Sequence, residues 1–168
     1  MVKATVSNST PLIYLAKIEK VELLKEIFEK VYIPEEVFEE SVVKGRELSK
    51  KEVFPLEELI EEGFIEVKGA ARRIKGIETL HKGEMEAISL AKDLKIKTLL
   101  IDDREGLGVA RVFGLQPRRT TAVLLMFYRD GIIDYKELCD SLLRLSEEGY
   151  FMKAEVYNEL IKKAGELK

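Results

Sequence analysis

The stretch "VSNSTPLIYLAKI", residues 6–18, reads as a strand handing over to a helix. Val6 closes a short β-prone run, Ala4-Thr5-Val6. Ser9 or Thr10 can cap a helix, and Pro11 suits its first turn. Asn8 stands between the two, at the strand's exit. Further along, the same alternation recurs. Strands are expected at 3–7, 30–33, 64–67, 97–101 and, more weakly, 116–118. Helical periodicity covers 10–18, 21–28, 35–43, 50–61, 82–94, 106–113, 121–128, 135–145 and 153–164. Residues 44–51 and 69–76 read as connections. Alternating β and α of this kind predicts an α/β fold: three layers, α/β/α, around a five-stranded, mostly parallel sheet, with added C-terminal helices. The chain is expected to be one domain over 1–168, its helical C-terminal extension starting at about 134.

The 168 residues can bury a real core but not two comfortable ones. With 46% hydrophobic and 35% charged residues, the balance is that of a soluble globular protein. A net charge of −3 argues against a strongly basic nucleic-acid coat, so any RNA contact must come from a local patch. Arg72, Arg73 and Lys75 form the most basic cluster. Abundant Lys and Glu, with Gln116 the only glutamine, give a bias similar to that of proteins from hot habitats. A single cysteine, Cys139, permits no internal disulfide and fits the cytoplasm. No signal peptide is expected. No apolar run approaches the roughly 20 residues of a membrane span. Residues 120–128, "TTAVLLMFY", are apolar all round a helix, which predicts cover from a second copy in a homodimer.

In an open parallel sheet, ligands gather beyond the carboxyl ends of strands, where strand order reverses. "TLLIDDREG", residues 98–106, ends a buried-strand run in two aspartates, Asp102 and Asp103. Adjacent carboxylates repel unless a cation or donors compensate; equally, one can cap the next helix while the other is solvated. In "HKGEMEAISLAKDL", residues 81–94, Glu84 heads the apolar stripe Ala87, Ile88, Ala91 and Leu94. A carboxylate on the core side is expensive without a partner, although a first-turn acid also suits the helix dipole. His81, the only histidine, has no second histidine for a zinc site and is expected at the surface or as a cap. No phosphate-binding glycine loop and no serine nucleophile elbow is present.

Taken in order, "SNSTPLIYLAKI", "YIPEEVFEES", "KGEMEAISLA", "LLIDDREG", "FGLQPRRTTAVLL" and "GYFMKAEVYNELIKKAG" resemble the PIN nuclease superfamily. The nearest likeness is to a prokaryotic PIN-like branch related to VapC-type toxins. The resemblance implies a ribonuclease dependent on Mg²⁺ or Mn²⁺, acting on single-stranded RNA, with a small antitoxin as partner. Carried over by motif, Asn8, Glu40, Glu84, Asp102 and Asp103 are the candidate catalytic positions. Asn8, Glu84, Asp102 and Asp103 would ligate metal. Thr10 and Thr120 fall where the family often has hydroxyls; with Arg72, Arg73 and Arg119 they are the candidate substrate contacts. Three departures stand out: Asn8 replaces the family's first aspartate, Leu107 a common basic residue, and Arg119 a common glycine. Asn8 leaves two readings open, a weakened or lost nuclease that kept the fold, or a change introduced to silence it. The rival is a catalytically inactive PIN-like module holding RNA or a protein through Arg72, Arg73, Arg118 and Arg119. A metal-dependent phosphatase would need an aspartyl nucleophile at position 8.

Overall fold

β-branched and aliphatic runs too short for helices form the central layer of the computed structural model, which describes residues 2–167. Five parallel strands, Val2–Ser7 (β1), Phe28–Ile33 (β2), Ile65–Val67 (β3), Thr98–Leu100 (β4) and Gln116–Arg118 (β5), assemble in the order β3-β2-β1-β4-β5. β1 lies at the centre, with Val6 opposite Tyr32 on one side and Leu99 on the other. Pro117 lacks an N–H, and its strand, β5, forms an edge where that loss is tolerated.

Alternating side chains sort into two cores. Val6, Leu99 and Ile101 face the helices Lys82–Asp93 (α5) and Arg104–Val112 (α6), packing on Ala87, Ile88, Ala91, Leu107 and Ala110. Val31, Ile33, Ile65 and Leu100 face the opposite layer. There lie Ser9–Lys17 (α1), Glu35–Phe38 (α2), Lys44–Glu47 (α3), Val53–Glu61 (α4), Thr120–Arg129 (α7), Tyr135–Glu147 (α8) and Ala154–Glu166 (α9). Successive strand residues point to opposite faces, so one sheet feeds both cores.

Three expectations need correction. The stretch 21–28 is not one helix: a 3-10 segment, Val21–Glu26, stops and β2 starts at Phe28. Residues 44–47 are helical rather than a connection, because α2 continues into α3 through a π-helical turn, Glu39–Val43. The apolar α7 finds its cover inside the chain. Val123, Leu124 and Phe127 are buried, and Leu125 and Met126 pack on the core shared with Leu12 of α1, Leu138 and Leu142 of α8 and Leu160 of α9. The periodicity of α7 therefore supplies no motive for a second copy.

Candidate active site

Strand order reverses between β1 and β4, which places the crevice expected of such sheets beyond their shared carboxyl edge. The Asn8 N–H donates to the Leu100 carbonyl at 2.8 Å, so Asn8 and the Asp102-Asp103 pair leave the sheet side by side.

Asn8 occupies the N-cap position of α1, yet its side chain makes no capping hydrogen bond. The residue is 5% exposed, and among the described residues its Oδ1 is the one buried side-chain N or O atom without a hydrogen-bond partner. That is a cost of about 1–3 kcal/mol unless something else binds there. The oxygen belongs to a cavity of about 160 Å³ lined by Asn8, Ser9, Thr10, Glu40, His81, Gly83 and Glu84.

Glu40 reaches the cavity from the π-helical turn, a device frequent at functional sites. Ser9 Oγ donates to its Oε2 at 2.7 Å. A Cβ on Gly83 would meet the two Glu40 carboxylate oxygens at 3.1 and 3.3 Å and Asn8 Oδ1 at 3.3 Å, so glycine is what lets α5 come this close. Glu84, at the third position of α5, reaches back to the His81 N–H at 3.3 Å in a capping box. It is 6% exposed; burial first, and the Asp103 charge second, push its carboxyl above the usual carboxylate range.

Asp103 caps α6, its Oδ2 accepting from the Gly106 N–H at 2.8 Å. Asp102 is held by three donors. The Thr120 N–H (2.9 Å) and the Tyr150 hydroxyl (2.5 Å) donate to Oδ1, and Thr120 Oγ1 donates to Oδ2 at 2.6 Å. Burial first, then the Asp102 carboxylate, raises the Tyr150 phenol well above its ordinary value, which keeps it a donor at neutral pH.

The fold thus gathers Asn8, Thr10, Glu40 and Glu84 around one cavity, with Asp103 close enough to Glu84 to perturb it. Asp102 and Thr120 form a second cluster at the neighbouring strand end, where Arg119 is the exposed N-cap of α7. Arg72 and Arg73 lie in the connection between β3 and α5, which is stitched to α5 by Ala71 N–H to Asp93 and Ile74 N–H to Ser89. Arg73 pairs with Glu86 at 3.4 Å, and Arg72 is exposed. Ser9, Gly83 and Tyr150 were not expected in the site. Ser9 adjoins Asn8 and could have been read; Tyr150 carried no local signal.

The amino-acid sequence matches the DUF3368 family, a PIN domain, over residues 4–166. The chain belongs to this PIN-domain family, and the five-stranded parallel sheet between two helical layers is its fold. Neither the curated proteins nor the solved structures returned a match.

PIN domains have a nuclease-like fold and generally use divalent metal ions. Among the described residues, no group of three or more His, Cys, Asp or Glu side chains is arranged to hold one. Position 8 carries an amide, which leaves this edge one acid fewer, and Asp102 keeps a free lone-pair position on Oδ2 beside its three protein donors. The side chains at this edge, Asn8, Glu40, Glu84, Asp102 and Asp103, all offer oxygens, the set a hard cation takes, and one of those oxygens, Asn8 Oδ1, is orphaned.

Proposed function

We propose that the chain is a ribonuclease of PIN type, dependent on Mg²⁺ or Mn²⁺ and acting on single-stranded RNA, with its ion affinity weakened by Asn8. The observation that carries this reading is the buried, unpartnered Asn8 Oδ1 on a cavity shared with Glu40 and Glu84. Asn8, Glu84, Asp102 and Asp103 would hold the ion. The chemistry an ion supplies in such a site is activation of water for attack on a phosphodiester and stabilisation of the leaving oxygen. The chain's own contribution is arrangement. Ser9 orients Glu40, the capping box orients Glu84, and Thr120 orients Asp102. Exposed Arg72, Arg73 and Arg119 would meet RNA phosphates, with Thr10 and Thr120 beside the reacting group. Residues 1–168 would act as one domain in the cytoplasm, as the toxin of a pair with a small antitoxin.

A second reading, an inactive PIN module binding RNA or a protein, draws support from Asp102, whose carboxylate is satisfied by three donors without an ion. Mn²⁺ separates the two. The chain as it stands is expected to cleave single-stranded RNA feebly. Asn8→Asp, which is isosteric and restores a charge, should gain chelator-sensitive cleavage, and adding Asp102→Asn should abolish the gain. If Asn8→Asp neither binds Mn²⁺ more tightly nor cuts RNA, the nuclease reading is wrong and the inactive module stands.

A further inference from the structure

Tyr150 comes from the connection between α8 and α9, 48 positions beyond the aspartate it touches. Gly149, just before it, takes φ +93°, a left-handed value that glycine adopts without strain. The Tyr150 N–H is tied to the Leu145 carbonyl at 2.9 Å, which fixes the turn. Its ring meets Tyr14 of α1 edge to face, with centroids 5.1 Å apart at 87°. The phenol can therefore neither swing away nor rotate freely.

An ionised carboxylate offers about four lone-pair positions. On Asp102 Oδ1, the Thr120 N–H and the Tyr150 hydroxyl take both; on Oδ2, the Thr120 hydroxyl takes one. One position on Oδ2 is left. We infer that Tyr150 is a positioning residue, its hydroxyl fixing the Asp102 carboxylate so that the free position on Oδ2 is the one it would offer a divalent cation. The inference rests on Asp102 being a cation ligand, as proposed above. It makes the α8–α9 connection part of the site's supporting shell rather than an appendage. Without the hydroxyl, the carboxylate can turn about its side-chain bonds, and Oδ2 is no longer held in one place.

The test uses the full chain carrying Asn8→Asp, with free Mn²⁺ followed by its paramagnetic resonance signal. Four proteins are compared: this parent, Tyr150→Phe, Asp102→Asn, and the two together. Tyr150→Phe keeps the ring against Tyr14, so a purely packing role predicts no change in affinity. Positioning predicts Mn²⁺ affinity about 10–100-fold weaker, as for other partners of metal ligands. It also predicts no further loss when Tyr150→Phe is added to Asp102→Asn, because the effect passes through that carboxylate. The inference is overturned if Tyr150→Phe binds like the parent while Asp102→Asn binds weakly. It is equally overturned if Tyr150→Phe weakens binding alike in both backgrounds. Should Asp102→Asn leave Mn²⁺ affinity unchanged, or no variant bind Mn²⁺, the ribonuclease reading itself falls and the inference with it.

Discussion

Two oxygen-bearing side chains leave adjacent strands at the same edge and meet opposite treatment. Beyond β4, Asp102 has three donors from two separate elements. Beyond β1, Asn8 is buried and its Oδ1 has none. One group receives three donors from the fold, and its neighbour's oxygen receives none. The Asp102 hydrogen bonds tie α7 and the α8–α9 connection to the end of β4. The Asn8 oxygen ties no other element to β1.

Removing each group should expose the contrast. Asp102→Ala leaves up to three donors unsatisfied and is expected to cost about 2–4 kcal/mol. For a chain of this size that lowers Tm by about 2–4 °C per kcal/mol in a thermal melt. Asn8→Ala, which deletes an oxygen that binds nothing, should fall within about 1 kcal/mol of the parent. Equal losses at the two positions would erase the distinction.

A smaller effect is expected from Asn8→Asp in chelator. It buries a third carboxylate beside Glu40 and Glu84 and should destabilise by about 1–2 kcal/mol. Mn²⁺ at one hundred times its dissociation constant should return about 2.7 kcal/mol, a gain visible as a concentration-dependent Tm. A metal-independent Tm would show that the orphaned oxygen does not mark a cation site.

Glu84→Gln sharpens the electrostatic half of the comparison. The folded chain holds this carboxyl above the usual range, so ionising it is harder folded than unfolded. Its destabilising effect is absent below the ordinary carboxylate range, grows as pH rises through it, and is complete above the raised folded value. Glutamine keeps the reach-back to the His81 N–H and removes the charge. Chelated Glu84→Gln should therefore melt higher than the parent at pH 7 and alike at pH 3.

Smallest of all, Arg72→Ala lies outside both regions and should leave Tm unmoved. If Arg72 meets a phosphate, the slope of log affinity for single-stranded RNA against log salt should flatten by about 0.7.

Local pattern made much of this legible. The strand-to-helix exit at Asn8, the stripe from Glu84 to Ala91 and the aspartates after β4 follow from periodicities of 2 and 3.6. The failures were cooperative. Val21–Glu26 has helical spacing, but Phe28 is claimed by pairing with Val2. Nothing local in Glu39–Val43 announces a π-helical turn, which delivers Glu40 to the cavity. The all-round apolar α7 does not announce that α1 before it and α8 and α9 after it supply its cover. Tyr150 depends on a contact 48 positions away, and the orphaned state of Asn8 Oδ1 is visible only once every neighbour is placed.

Gly83 gives the cavity an unusual vulnerability. Every oxygen there belongs to some other residue, yet access to the space they share depends on one missing carbon. A single methyl, Gly83→Ala, would press on three oxygens belonging to two residues while altering no charge and removing no donor or acceptor. It therefore offers a steric change that narrows the chamber and shifts Glu40 against Asn8 while leaving every donor and acceptor in place. Used in living cells, such a variant would separate what the protein does by occupying that space from what it does by merely being present.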